Sequence, residues 1–516
     1  MSRKLNHTLI VLLAMMVVWA IVCTAVSGVL PVRFELSRLA LPVAAFAVLS
    51  FLMALDRRRT VAVCLLLFGL SAIIESLLGV AQLAGIAQSR HDTFRITGNF
   101  VNPGPFGGYM AFASLTSLAL VIRHELKGWQ RIAAIAVGSL SFVMMILSRS
   151  RAAWLAFALI GILVVFRETG LLGRIRHKWL LTAAVVLLTA AAAYGAFTLK
   201  PDSARGRFHF WHMDCLVIAD NPLTGAGPGV EMGAFGDVQA EFFASHPRSA
   251  EKMRLAGVAE YPFNEFLGAG MSCGLPGLVL AVSAYVLALV IQARRRGLLL
   301  WPLAAFGIFA LFSYPMSQTA TTLVLVLCLA DAAAVDGMSR RSRTWWCTAA
   351  AVIASVSVPF LVLRAREEAD HLAYARISRN GKLTPEVHAR YYDTQRYRPS
   401  FLYFYALCEV AEGRDAHALE LLESAARLDS EPLIHTLAGD CLLRTGRPAQ
   451  ALEHYLRAYY VAPARVYSLL KVIELYAASG HIDEARAVRD YALSLPFKRS
   501  QTRTLEIRKQ IRSYEL

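Results

Sequence analysis

Charge is scarce in this chain. Only 17% of its 516 residues are Asp, Glu, Lys or Arg, against 56% hydrophobic residues, and mean hydropathy is +0.47. Soluble globular domains carry about 25% charged residues, so an ordinary soluble fold is excluded. The chain also lacks any Cys-x-x-Cys pair, and its eight cysteines form no metal-ligand pattern. Cys23, Cys64, Cys328 and Cys347 lie in apolar runs and read as small buried hydrophobes. No Asp-x-Asp or cluster of carboxylates occurs in the segments assigned to the outer side below, so neither a metal nor another cofactor is called for. Carboxylates inside the apolar runs are equally rare. Glu75 is the main one, and one such group does not define a transport pathway.

Long apolar runs are abundant. A bilayer crossing takes about 20 residues, and such runs centre near Val17, Ala45, Phe68, Ser114, Val137, Ala158, Val186, Val282, Phe306, Val324 and Ser355. The predicted fold is all-α. It is a polytopic membrane bundle of about 11 transmembrane helices, or 12 with a short or re-entrant one, followed by an α-solenoid. The first run has Arg3 and Lys4 before it and is too long for a signal sequence, so it reads as a retained helix.

The net charge of +16 could suggest nucleic acid, but its placement argues against that partner. Arg57 to Arg59, Arg123 to Arg131, Arg167 to Lys178, Arg294 to Arg296 and Arg340 to Arg343 fall in alternate loops. Basic loops resist translocation, which predicts a cytoplasmic N-terminus in the inner membrane and an external segment after about Leu363.

The same topology exports three informative segments. "TFRITGNFVNPGPFGGYM" (93–110) has four glycines, two prolines and two asparagines between apolar runs. "SRSRAAW" (148–154) starts a helix, and the segment 200–262 forms a large outer loop. Arg95, Arg149, Arg151, Arg205 and Arg207 break the inside bias here. One arginine at a helix end simply snorkels. Several beside Gly, Asn and His point to a shared anion, because guanidinium forks onto phosphate oxygens and glycine admits backbone N–H groups. The loop carries Phe208, Phe210 and Trp211 with His209 and His212. An interfacial aromatic belt is the alternative for that group. "NPLTGAGPG" (221–229) reads as a turn-rich terminator.

The order of these pieces resembles the O-antigen ligase and O-antigen polymerase superfamily, which includes bacterial O-linked oligosaccharyltransferases, over most of residues 60–340. "RITGNFVNPGPFGGYMA" is similar to the family's Arg-x-Thr-Gly segment, and "SRSRAAWLA" to its Ser-Arg-x-x-Trp helix start, at Arg151. "GRFHFW…NPLTGAGPG" is similar to its Gly-Arg…Trp…Asn-Pro-Leu-x-Gly segment, at Arg207. "FNEFLGAGMSCGLPGL" is similar to its His-Asn-x-x-Leu…Gly-Leu helix. The resemblance implies transfer of a glycan from an undecaprenyl-diphosphate carrier to an acceptor hydroxyl on a lipid, glycan or protein. Arg151 and Arg207 would stabilise the leaving diphosphate. Arg95, Asn99, Arg149, Arg205, His209, Trp211, His212 and Asn264 would line the substrate site.

One departure follows from the comparison of motifs. Ligases of the family have a histidine where this chain has Phe263, which cannot take a proton. Glu265 is the nearest titratable candidate for the base, and an N-terminal helix charge is its equal alternative. His209, His212, Asp214 and His246 are further candidates. Ligase, protein glycosyltransferase, polymerase with the same donor, and non-enzymatic anchor all remain open.

The tail is a separate unit. The expected division is a membrane domain over 1–363, a helical connector over 364–400, repeats over 401–499 and a tail over 500–516. Gly413, Gly446 and Gly480 are 33 and 34 residues apart, with Ala418, Ala451 and Ala485 at equivalent places. That is the tetratricopeptide period, and such solenoids offer a concave face to a protein partner. Cys408 and Cys441 each precede a glycine by five residues. They read as packing residues, with a disulfide as the alternative.

Overall fold

The computed structural model describes residues 2–171, 198, 201–246, 250–495 and 502–514. Every regular element among them is helical. The apolar runs become α1 (Ser2–Ser27), α2 (Val32–Leu83), α3 (Pro103–Ile122), α4 (Trp129–Leu147) and α5 (Arg151–Glu168). The outer loop folds into α6 (Pro201–Asp220), α7 (Glu231–Ser245) and α8 (Ala250–Leu255). Then come α9 (Glu265–Arg295), α10 (Leu300–Ala310), α11 (Thr319–Ala333) and α12 (Arg340–Arg379). Among the described residues, six helices are long and apolar enough to cross a membrane. The run centred near Val186, and Lys178 of the basic loops, lie outside the described residues.

Two expected spans meet at a kink and two are short. Asp56, at φ −150° and ψ 94°, breaks α2 into two helices just before the basic triplet. The 11 residues of α10 and the 15 of α11 reach only about 16 and 22 Å at 1.5 Å per residue. Conversely, α12 is a single 40-residue helix that passes through 363 without a break. The last apolar run and the start of the connector are thus one rod.

Polar contacts sort the helix ends onto two sides. On one side Arg57 pairs with Asp331 at 2.7 Å, and Arg123 pairs with Glu168 at 2.7 Å. Trp301 also donates to Glu168, and Asn6 donates to the Ala332 carbonyl. The basic ends therefore gather together. On the opposite side Asn102, Ser150 and Asn264 cap α3, α5 and α9 by accepting first-turn N–H groups. These polar residues end the apolar runs, and they leave three positive dipole ends on one side.

The sequence stretch 221–229 has a second role in addition to turning. Pro276, with Cys273 and Gly274 out of helical geometry, kinks α9. The Ala226 and Gly227 N–H groups donate to the freed Met271 and Ser272 carbonyls, and Leu275 donates to the Pro222 carbonyl. Trp19 Nε1 donates to the Cys273 carbonyl. The kink is thus satisfied by partners remote in sequence, as buried backbone requires.

Beyond α12 and α13 (Pro385–Gln395), three helical hairpins follow. They are α14 (Pro399–Ala411) with α15 (Asp415–Ala426), α16 (Pro432–Arg444) with α17 (Pro448–Val461), and α18 (Tyr467–Ala478) with α19 (Ile482–Ser494). Gly413, Gly446 and Gly480 turn the hairpins at φ of 74–79°, and Ala418, Ala451 and Ala485 are fully buried between helices. Cys408 and Cys441 are free thiols. The hairpins are docked on the outer loop. Arg457 pairs with Asp237, and Gln239 donates to the Val461 carbonyl. Added Cβ atoms on Gly233 and Gly236 would meet the Arg427 carbonyl and the Ser430 side chain, so the backbones touch.

Candidate functional site

The capped helix starts converge on a short hub, residues 309–316, between α10 and α11. Phe309 lies where a Cβ on Gly108 would fall, within 2.6 Å, and Ser313 lies 4.0 Å from one on Gly104. Ser148 and Ser150 fill the space beside Gly107, which joins the start of α5 to that of α3. Met316 N–H donates to Glu265 Oε1 at 2.6 Å, bringing in the start of α9. Nothing in the sequence reading singled out this hub. Its signal is "FSYPMSQ", a proline-bearing polar insertion inside an apolar stretch, the same kind of break as 93–110.

The helix α6 adds one face to the hub. Arg207, Trp211 and Asp214 recur at i, i+4 and i+7, so they share that face. Trp211 packs on Phe312 at 5.7 Å. The Arg207 guanidinium lies 5.9 Å over the Phe263 ring, within cation–π range. Phe263 in turn stacks on Phe210 at 5.4 Å and meets Tyr314 edge-on at 5.7 Å. Burial first, and then the charge of Arg151, push Arg207 down to about 10, with Tyr314 opposing both. Arg207, in the second turn of α6, thus feels the charge of Arg151, the first residue of α5. Arg207 has no carboxylate partner among the described residues. Such a pair favours a bound anion.

The remaining sequence candidates have the following settings. Arg95 and Arg149 are exposed, and Arg149 is left-handed at φ 57°. Asn99 donates to Glu75 through its backbone at 2.8 Å and its side chain at 2.9 Å, which anchors the glycine-rich break. Gln82 accepts from the Thr97 and Gly98 N–H groups in the same break. Arg205 is exposed and pairs with Glu251 at 2.8 Å. His209 is 6% exposed and bonds Gln239 at 2.9 Å within a phenylalanine-rich core. His212 is exposed and packs edge-on against Phe242, and His246 stacks on the same ring at 4.7 Å.

Asp214 is fully buried, and neither carboxylate oxygen has a hydrogen-bond partner among the described residues. Burial alone pushes its pKa up to about 8. The indole N–H of Trp211 is likewise unbonded.

Asn264 is the buried cap of α9, accepting from Phe266 and Leu267. Glu265 follows it and lines a cavity of about 620 Å³. Oε1 takes the Met316 N–H, and Oε2 has no protein donor among the described residues. Tyr314 also lines that cavity, stacked on Tyr261 at 4.7 Å. The hub thus presents guanidinium at one edge and carboxylate at another, with Phe263 and Tyr314 between.

Residues 136–282 match the family model described as O-antigen ligase. The match spans Arg151, Arg207, Phe263 and Glu265. It leaves out residues 93–110, the hub 309–316 and the helical hairpins. No curated protein matches the chain. The match supports the O-antigen ligase superfamily, whose members are membrane glycosyltransferase-like enzymes.

Proposed function

We propose that this protein moves a glycan from an undecaprenyl-diphosphate carrier to an acceptor hydroxyl at the external face of the inner membrane, as an O-antigen ligase or a protein O-oligosaccharyltransferase. The observation that carries this reading is Arg207 over an aromatic wall, sensing the charge of Arg151 and without an acidic partner among the described residues. The diphosphate of the donor supplies the missing charge, held by forked charge-assisted hydrogen bonds. As the bond from the anomeric carbon to the diphosphate oxygen breaks, the electron pair leaves with the diphosphate. The guanidiniums stabilise that growing charge. The acceptor oxygen forms the new bond to the anomeric carbon and gives its proton to Glu265, through the oxygen that no protein donor occupies.

Phe263 explains how a site without the family histidine keeps its shape. Its ring supports the Arg207 guanidinium rather than handling a proton. The hub side faces the external compartment, because the opposite side gathers the basic helix ends. The three hairpins are read as tetratricopeptide repeats from their glycine spacing. A glycan polymerase would use the same donor chemistry, and the arginine pair serves both. Transfer assays on Arg207→Ala test the reading. Lost transfer with normal membrane insertion is expected, and wild-type transfer would contradict it.

A further inference from the structure

The 620 Å³ cavity beside Glu265 has two chemically distinct ends. Leu13, Met16, Leu325 and Leu329 line one end with aliphatic surface from α1 and α11. The other end is polar. Tyr261 and Tyr314 form a stacked aromatic wall there, and Glu231, Glu260, Glu265 and Asp429 line it with one guanidinium, Arg38, which pairs with Glu35 at 3.3 Å. Asp429 belongs to the helical hairpins, in the turn between α15 and α16. That turn is held in place, because α7 presses Gly233 and Gly236 against Arg427 and Ser430 with no room for a Cβ. Burial first, then Glu431 and Glu260, push Asp429 up to about 6, so Glu260 and Asp429 sense each other's charge.

We propose that this cavity is the acceptor site, and that Asp429 makes the repeat region a selectivity wall for an amphiphilic acceptor with a hydroxylated head group free of negative charge. The inference rests on the glycan-transfer reading above. The aliphatic end takes the acceptor's apolar part. The carboxylates accept hydrogen bonds from its hydroxyl or ammonium groups. The stacked tyrosines give a flat contact for the apolar face of a ring. The same carboxylates repel phosphate, which keeps the donor's diphosphate on the arginine side of Phe263 and Tyr314. Both substrates then reach the hub from different edges, with Glu265 at the acceptor's.

Photo-crosslinking tests this without any transfer reaction. Full-length protein in phosphatidylcholine nanodiscs is labelled with three diazirine-bearing dodecyl glycosides: a glucoside, a glucosaminide and a glucuronide. The first two should label peptides around Tyr261 and Asp429. The glucuronide should label them on the order of tenfold less, the scale of about 1.4 kcal/mol. Asp429→Arg should reverse that ranking, and the near-isosteric Asp429→Asn should narrow it if the arginine variant fails to fold. Tyr261→Ala should weaken all three labels and keep the ranking. Labelling away from the cavity, equal labelling of wild type by all three, or an unchanged ranking in both Asp429 variants would overturn the proposal. Unimpaired transfer by Arg207→Ala would instead remove the underlying reading while leaving the labelling intact.

Discussion

The guanidinium of Arg207 lies 5.9 Å over the ring of Phe263. Phe263 is thus an aromatic support for a cation. Cation–π contacts are worth about 0.5–2 kcal/mol, or roughly 2- to 30-fold in binding. Phe263→Leu should raise the KM for the donor by that factor with little change in acceptor KM, and Phe263→Tyr should retain most donor affinity. Steady-state kinetics with the donor varied checks this. An unchanged donor KM in Phe263→Leu would show that the ring does not support the anion site.

Glu265 accepts a hydrogen bond from Met316 and lines the cavity with its second oxygen free of protein donors. Glu265→Gln keeps the size and the bond to Met316 but removes the basic carboxylate. Turnover should fall on the order of 10²-fold or more, with donor binding retained. Full turnover would leave Glu265 as the favourable charge at the start of α9 and no more.

Asp214 carries a pH dependence of its own. Its carboxyl is pushed from 3.8 up to about 8 by burial, so the folded protein favours the neutral form. Its contribution to stability is complete below about pH 4 and is lost as pH rises through about 8. Asp214→Asn should therefore melt like wild type near pH 4 and gain on it toward pH 8, by at most about 1.4 kcal/mol per unit. Thermal melts across that range check the sign. A gain that shrinks with rising pH would contradict it.

The helix α6 shows what was legible in the sequence and what was not. Arg205, His209 and His212 recur at i, i+4 and i+7, as do Arg207, Trp211 and Asp214. The two sets are two residues out of phase, about 200° apart on a helix at 100° per residue. Reading 200–262 as a loop lost that phase, so the pairing of Arg205 with Glu251 and the burial of His209 on Gln239 could not be foreseen. The start of α5 was more visible, because "SRSRAAW" reads as a helix start, whereas Asn264, read as a substrate residue, is the cap of α9. The hub was hidden, since Tyr314 and Met316 acquire their roles only from partners on α6 and α9.

The union of Gly225 with the kink of α9 was hidden for the same reason. Gly225 sits at φ +64°, and a Cβ there would lie 2.4 Å from the Met271 carbonyl oxygen. Gly225→Ala combines a left-handed backbone with a clash on backbone, and should destabilise the protein by about 1–3 kcal/mol or more. A lowered melting temperature in detergent or nanodiscs is the expected result. Wild-type melting would show that the 221–229 segment and the kink are not held together as described.

The central claim is that Arg151 and Arg207 form one diphosphate site. Its most direct measurement is glycan transfer in vitro from an undecaprenyl-diphosphate-linked donor by Arg151→Ala and Arg207→Ala, each confirmed as inserted and folded. Each variant should lose on the order of 10²-fold or more in kcat/KM, the cost of removing one preorganised donor to a developing charge. Lysine at either position should recover little, because the fork is lost. Near-normal transfer by both alanine variants would contradict the account.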